Sequence, residues 1–219
     1  MSLRQTLFVL LALAVPAFAQ RASIEFDSMR EYVKDAEPPA QSELPHFESL
    51  VKGGLLKEYG FFDKSLTDTH LASGLPTFLV TVNELQRFRP GNDVFQLLRD
   101  EHTVTFVLFG NGKPLSTMTM RRPAPGKAFE PTALGSPQLA EQIDTTYAAL
   151  TERQHGEFRI LVEIPGMSLK FLGQIAARPL TAGYDLYLTA IRGSEKFGVK
   201  QGLTTTADDL FTRLSAAAH

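Results

Sequence analysis

The sequence predicts an α+β fold in which helices cover an antiparallel β-sheet of about five to six strands. A two-residue turn, Asn111-Gly112, joins two strand-like arms within residues 103–122. Apolar residues alternate in three segments, Phe158 to Ile164, Leu169 to Ile175 and Tyr184 to Leu188, which is typical of half-buried strands. Between these groups, Ser136-Pro137 begins the clearest helical pattern of the chain, with a preferred capping residue and a proline at the first helical position.

The arm before the Asn-Gly turn is apolar on both of its faces. Val104, Phe106 and Leu108 lie on one face of a strand, and Val107 and Phe109 lie on the other. A strand without a polar face is usually covered on both sides. We therefore expect this arm near the centre of the sheet, with Phe106 and Leu108 among the most buried side chains.

Regular pairing across the turn predicts the register of the hairpin. The expected pairs are Gly110 with Lys113, Phe109 with Pro114, Leu108 with Leu115, and Phe106 with Thr117. The nitrogen of Pro114 points away from the first arm and has no proton to donate. Either no strand pairs on the outer side of Pro114, or a bulge interrupts the pairing there.

Residues 1–19 have the three parts of a secretory signal peptide. Arg4 supplies the basic start, residues 7–15 form an apolar run, and Ala17-Phe18-Ala19 resembles a signal-peptidase site. The run is shorter than the roughly 20 apolar residues that span a membrane. We therefore expect cleavage before Gln20 and export to the periplasm or the medium.

The composition of the chain excludes some partners and indicates what stabilises the fold. Removing Arg4 from 22 basic and 24 acidic residues leaves a net charge of about −3, which is no basic footprint for nucleic acid. An exported chain without cysteine has no disulfides, so a hydrophobic core must stabilise it. The chain has 16 Phe and is long enough to bury such a core.

The predicted mature chain divides into two parts. Residues 20–91 are interpreted as a helical and irregular segment with one strand, packed on the main domain, and residues 92–219 as the α+β domain. In the first part we expect helices over 22–36 and 44–56, a break at Glu37-Pro38-Pro39 between them, an irregular stretch over 55–71, and a strand over 77–82. In the second part we expect a short helix capped by Asn92 or Asp93, a loop over 121–135, a bulge at Gly173, and a terminal helix capped near Thr206.

From Asn92 onward the predicted order is helix, two strands, helix, three strands, helix. This order resembles the profilin and roadblock class of folds, in which helices cover a five-stranded antiparallel sheet. A cystatin-like or nuclear-transport-factor-like half sheet wrapped on one helix is the alternative. The resemblance concerns element order alone and implies no function.

The residue patterns of catalysis and metal binding are absent from the sequence. No two of the five histidines lie four residues apart, as a pair of metal ligands on one helix would. Neither Asp68-Thr69-His70 nor Asp100-Glu101-His102 has the further ligands of a zinc site. No serine lies in a nucleophile elbow, since Ser73-Gly74 and Ser116 have no supporting pattern, and there is no thiol. The glycines flanking Asn111 are explained by the turn rather than by a phosphate loop. We therefore predict no catalytic residues, no metal site and no cofactor.

Candidate partner contacts are few. Arg121 and Arg122, with Lys127 nearby, form the only local basic cluster, although a solvated strand end is the ordinary explanation. Phe61 and Phe62 lie in the irregular stretch and have no periodic role in a core. We predict partner contacts at these two pairs of residues.

These observations favour an exported, non-enzymatic binding or interaction module of the cell envelope, with a protein or small-molecule partner. A small secreted hydrolase whose active-site residues are scattered along the chain is the alternative. The discriminating feature is whether His70, His102 or His155 meets an acid or a hydroxyl in a cleft.

Overall fold

The computed structural model describes residues 26–57, 63–72, 74–151, 158–177 and 183–218. The helices are α1 (Phe26–Lys52), α2 (Val82–Arg87), α3 (Pro137–Thr151) and α4 (Ala207–Ala217). The strands are β1 (His70–Leu71), β2 (Leu75–Leu79), β3 (Arg99–Gly110), β4 (Lys113–Arg121), β5 (Glu130–Leu134), β6 (Phe158–Ile164), β7 (Leu169–Ala177), β8 (Tyr184–Arg192) and β9 (Thr204–Thr206). The predicted signal peptide lies outside the described residues.

The strands form a mixed sheet in the order β5-β4-β3-β2-β6-β7-β8-β9, with β1 paired to β3. The expected α+β class with one sheet is confirmed, but the strand number and the purely antiparallel pairing were wrong. In the described residues the sheet has nine strands, and β2 runs parallel to β6. The apolar period reports which residues face the core, and it carries no information on strand direction.

The parallel pair follows from the path of the chain. After β2 the chain adds β3, β4 and β5 outward to one edge of the sheet, and α3 then leads back to β6 beside β2. Parallel neighbours require a long crossover of this kind. The domain boundary at residues 91 and 92 stays a prediction, and β2, which precedes it, pairs with β3 and β6, which follow it.

The hairpin between β3 and β4 was predicted correctly at its turn. Asn111 and Gly112 have φ angles of 52° and 74°, as a type I′ turn requires, and Phe106 and Leu108 are buried. The first two pairs are those expected, but Leu115 is an extra residue in β4, so Leu108 pairs with Ser116 and Phe106 with Met118. The bulge beside Pro114 is therefore present, and the predicted register beyond it was wrong by one residue.

Helix α1 continues through the prolines that were expected to break it. A buried stripe of Ala36, Ala40, Leu44, Phe47 and Val51 runs along one side of the helix and packs on β3 and β4. Burial of this stripe outweighs the amide bonds that the three prolines of the helix cannot donate. The predicted break was therefore wrong.

Three further local predictions were wrong. The expected loop over 121–135 contains β5, which pairs with β4 along the edge of the sheet. The expected strand to Val82 ends at Leu79, because Thr81 and Glu84 form a capping box that starts α2. Gly173 pairs regularly; an added Cβ would lie 2.7 Å from a side-chain carbon of Ile160, so close packing explains this glycine.

The capping predictions were confirmed. Ser136 accepts a hydrogen bond from the amide of Leu139 at the start of α3, and Asp93 caps the short 3-10 helix Val94–Leu97. Thr206 caps α4 by accepting from Asp209. These residues start the helices at the positions that their side-chain chemistry indicates.

The helices cover the two faces of the sheet unequally. Helices α1, α2 and α4 lie on the face that bears Phe106, Phe171 and Ile160, with α1 over β3 and β4. Helix α3 packs on the opposite face, against Val107 and Leu161. The first turns of α1, strands β2 and β3, and the residues after β4 surround a cleft.

Candidate functional site

A cleft of about 380 Å³ lies between the start of α1, strands β2 and β3, and the residues after β4. Its polar side chains are Glu31, Tyr32, Asp35, Asp100, His102 and Arg122, and its apolar surface comes from Met29, Pro76 and Phe78. A volume of this size is at the lower end of the range for ligand sites. The cleft combines opposite charges with an aromatic hydroxyl over an apolar floor.

A bulge in β3 places two of the polar side chains in the cleft. Thr77 pairs with Thr103 and Phe78 with Asp100, so the two residues between Asp100 and Thr103 have no partner in β2. The backbone of His102 is left-handed, with φ 56°, and its amide donates to Asp100 Oδ1 at 2.7 Å. Bulges redirect side chains and are common beside functional sites.

Arg122 packs against two neighbouring aromatic rings. Its guanidinium carbon lies 5.0 Å from the ring centre of Tyr32 and 4.6 Å from that of Phe129, and Nη2 donates to Asp35 Oδ2 at 2.7 Å. The Nε atom is buried and has no hydrogen-bond partner. The guanidinium is therefore fixed in orientation, and its buried Nε–H is an unsatisfied donor.

Tyr32 brings a second unsatisfied polar atom to the cleft. Its hydroxyl is buried and has no hydrogen-bond partner, while its ring packs edge-on against Phe129. Burial raises the pKa of the Tyr32 phenol well above its ordinary value, and the charge of Asp100 raises it further, whereas Arg122 and Arg121 act in the opposite direction. The phenol therefore stays neutral and can accept or donate a hydrogen bond.

His102 and Asp100 form the acid–imidazole contact of the cleft. His102 Nδ1 lies 3.2 Å from Asp100 Oδ2, and both side chains are about half exposed. A carboxylate in this position orients the imidazole ring. The pair can therefore supply a charge or a base at the mouth of the cleft.

The structure separates the predicted contact residues. Arg122 lies in the cleft, whereas Arg121, one residue earlier on β4, is exposed and does not line it. Lys127 is exposed in the following turn. Phe61 and Phe62 lie outside the described residues, so their predicted role stays a prediction.

Three other residues considered from sequence, His70, His46 and Ser116, do not line the cleft. His70 stacks on Phe109 with ring centres 5.3 Å apart, and His46 is exposed on α1. Ser116 is buried and donates to the carbonyl of Gly135 at 2.8 Å, so it has a structural role. His155 lies outside the described residues.

A second groove lies between α3 and the strands β8 and β9. It has a volume of about 490 Å³; Gln142, Thr146, Thr189 and Thr204 contribute amide and hydroxyl groups to it, and Glu141 contributes a carboxylate. Several of these groups bond within the protein: Thr146 donates to the carbonyl of Gln142, and the hydroxyls of Thr189 and Thr204 lie 2.7 Å apart. Of the atoms that line this groove, the buried Oε1 of Gln142 has no hydrogen-bond partner, whereas the cleft has two such atoms, the Tyr32 hydroxyl and Arg122 Nε.

Metal binding and membrane insertion have no support in the part of the chain that the structure describes. No three His, Asp or Glu side chains there converge as ligands of an ion would. None of the described helices combines the length and the apolar character that a membrane crossing needs.

Comparison with known proteins adds no relatives: no family model, curated protein or solved structure matches the chain.

Sequence reasoning found part of this cleft and missed the rest. Arg122 is a predicted contact residue, and Asp100-Glu101-His102 was considered as an acid–imidazole pattern that lacks the further ligands of a zinc site. Tyr32 and Asp35 lie within the predicted helix over 22–36, and neither was predicted as a site residue. The one available indication was the position of Tyr32 and Asp35 three residues apart on α1, on the same side of the helix.

Proposed function

We propose that the protein is an exported, non-enzymatic binding module of the cell envelope and that the cleft beside Arg122 is its binding site. The observation that carries this proposal is a concentration of features that cost folding free energy. The left-handed backbone of His102, the unsatisfied hydroxyl of Tyr32 and the unsatisfied Nε of Arg122 all lie at this one cleft. Such costs persist mainly where function requires them.

The partner in this proposal is a protein or a small ligand that supplies the missing hydrogen-bond partners. Tyr32 and Arg122 are rigid, amphipathic anchors of the kind that dominate binding energies at interfaces. Phe61 and Phe62 remain proposed contacts of the same partner. The resemblance in element order to profilin, roadblock, cystatin-like or nuclear-transport-factor-like folds contributes nothing to the proposal.

Export is the second part of the proposal. It is supported by the basic start, the short apolar run and the Ala17-Phe18-Ala19 ending of the first 19 residues. N-terminal sequencing of the protein from the periplasm or the medium should give a chain that starts at Gln20. A product that keeps residues 7–15 would contradict it.

Binding is tested by capture from envelope extract with matched variants. Arg122→Gln and Tyr32→Phe should lose the captured partner, whereas Arg121→Gln removes a neighbouring charge outside the cleft and should keep it. Phe61→Ala and Phe62→Ala test the other proposed contacts. Circular dichroism and a thermal melt show that each variant is folded. If Arg122→Gln and Tyr32→Phe capture the same proteins as the wild type, the cleft is not the site.

A small hydrolase is the second candidate, because His102 meets Asp100 in the same cleft. An imidazole oriented by a carboxylate can act as a general base on water. A broad screen of ester, amide, glycoside and phosphate substrates tests it. Turnover that His102→Gln abolishes and His70→Gln leaves intact would favour the hydrolase over the binding module.

A further inference from the structure

We infer that the cleft binds a cationic side chain, a lysine or an arginine, from a basic peptide segment of the partner protein. This inference rests on the proposed binding function of the cleft and names the chemistry of its occupant. It follows from the charges of the site, from its apolar surface and from the unsatisfied hydroxyl of Tyr32.

The charges around the cleft are unequal. Glu31, Asp35 and Asp100 bring three carboxylates, against the single guanidinium of Arg122 and the titratable imidazole of His102. Asp35 is already paired to Arg122 at 2.7 Å. The excess negative charge therefore lies on Glu31 and Asp100, which attract a cation and repel an anion.

Glu31 and Asp100 approach the cleft from two different elements. Glu31 projects from α1, where it has no bonding partner among the described residues, and Asp100 projects from the bulge of β3. Asp100 Oδ1 accepts a hydrogen bond from the backbone amide of His102. Its Oδ2 lies near the imidazole of His102 at the exposed mouth of the cleft. Both carboxylates line the same cleft, so both attract a cation that enters it, whichever of the two it bonds to directly.

The apolar floor suits the stem of a long basic side chain. Met29 and Phe78 are buried, and Pro76 lies beside them under the carboxylates. Lysine and arginine place their methylene groups along apolar surface while the charged end reaches polar groups. A cleft of about 380 Å³ takes a side chain of this kind and little more.

The hydroxyl of Tyr32 completes the recognition. Its oxygen can accept a hydrogen bond and has no donor in the protein. Ammonium and guanidinium groups carry several N–H donors and no acceptors, so they match this oxygen and the two carboxylates together. An anionic side chain has no donor for these acceptors and is repelled by the carboxylates, and a neutral amide donates to them without the attraction of opposite charges. A backbone carbonyl of the same peptide segment can accept from the buried Nε of Arg122.

The test uses the mature chain and three labelled peptides that differ at two positions of one Gly-Ser sequence, where they carry Lys, Gln or Glu. Fluorescence anisotropy at low and at physiological ionic strength measures binding. We expect the Lys peptide alone to bind, with an affinity that falls as salt screens the charges.

Matched variants locate the binding. Asp100→Asn keeps an oxygen that can accept from the His102 amide, and Glu31→Gln keeps its shape, so both preserve the fold. Each variant should lower the affinity for the Lys peptide by about three- to tenfold, since a charged hydrogen bond is lost at a partly exposed site. Glu37→Gln removes an exposed carboxylate of α1 outside the cleft and should change the affinity by less than about twofold.

The outcomes separate this inference from the proposed function. The inference is overturned if the Lys peptide fails to bind at low ionic strength, if Glu37→Gln weakens it as much as Asp100→Asn, or if the Gln or Glu peptide binds more tightly. The proposed function survives each of these results if Arg122→Gln and Tyr32→Phe still abolish partner capture. If capture is unaffected as well, both fail.

Discussion

Asn111, the first residue of the hairpin turn, is tied to Thr67 by three hydrogen bonds. Asn111 donates its amide to the carbonyl of Thr67 at 3.0 Å, and its Oδ1 accepts from both the amide and the hydroxyl of Thr67 at 3.0 Å. Its Nδ2 also donates to Asp63 Oδ2 at 3.0 Å. The residue that permits the turn therefore also anchors the preceding loop to the sheet.

Replacing Asn111 tests this anchor separately from the turn. Asn111→Gly keeps the positive φ angle and removes the side-chain bonds, so we expect a loss of about 1 kcal/mol in the free energy of unfolding. Urea unfolding measures it. Thr67→Ala alone and combined with Asn111→Gly should give non-additive losses, since the two residues share bonds. Additive losses would show that the contact does not couple them.

Phe106→Ala tests the central position of β3. Phe106 is 1% exposed beneath α1, and its truncation should cost about 3–5 kcal/mol through lost burial and a cavity. Leu55→Ala is the control, because Leu55 is 71% exposed and should change stability by less than about 0.5 kcal/mol. A thermal midpoint that Phe106→Ala leaves unchanged would contradict the assignment of this arm to the core.

Substitutions of His102 test the left-handed backbone conformation at the bulge. Alanine and glycine both remove the imidazole, but only glycine adopts φ 56° without a steric penalty. His102→Gly should therefore be more stable than His102→Ala by about 1 kcal/mol in urea unfolding. Equal stabilities would mean that the left-handed conformation is not maintained in solution.

The raised pKa of Tyr32 predicts that the free energy of unfolding falls as pH rises in the alkaline range. Its pKa is raised in the folded chain, so the phenol stays protonated while the unfolded chain ionises above its ordinary pKa of about 10. The contribution to stability is complete below that pH and is lost as pH rises through the folded pKa. Urea unfolding over this range should show a shallower decline for Tyr32→Phe than for the wild type; parallel declines would refute the prediction.

The prolines of α1 predict a stabilising substitution. Pro38 is exposed within a continuous helix, where it donates no amide bond and crowds the preceding turn. Pro38→Ala should raise the free energy of unfolding by about 1–2 kcal/mol, after allowance for the greater freedom of the unfolded chain. Gln41→Ala, an exposed change on the same helix, is the control. A loss of stability at Pro38→Ala would indicate that α1 is interrupted in solution.

Local chemistry in the sequence determined the turns, the helix starts and the strand faces. Asn111-Gly112, Ser136 and Thr206 act through hydrogen bonds and backbone angles within a few residues, so their effects can be recognised without a fold. The apolar period likewise identified Phe106 and Leu108 as core residues.

Tertiary structure alone decided the pairing of β2 with β6, the continuity of α1 and the composition of the cleft. Asp35 and Arg122 are 87 positions apart, and their contact exists only because α1 packs across β3 and β4. The same packing buries the stripe that keeps α1 helical through its prolines. These features depend on burial between distant segments, whose free energy is set by the assembled sheet and leaves no local pattern in the chain.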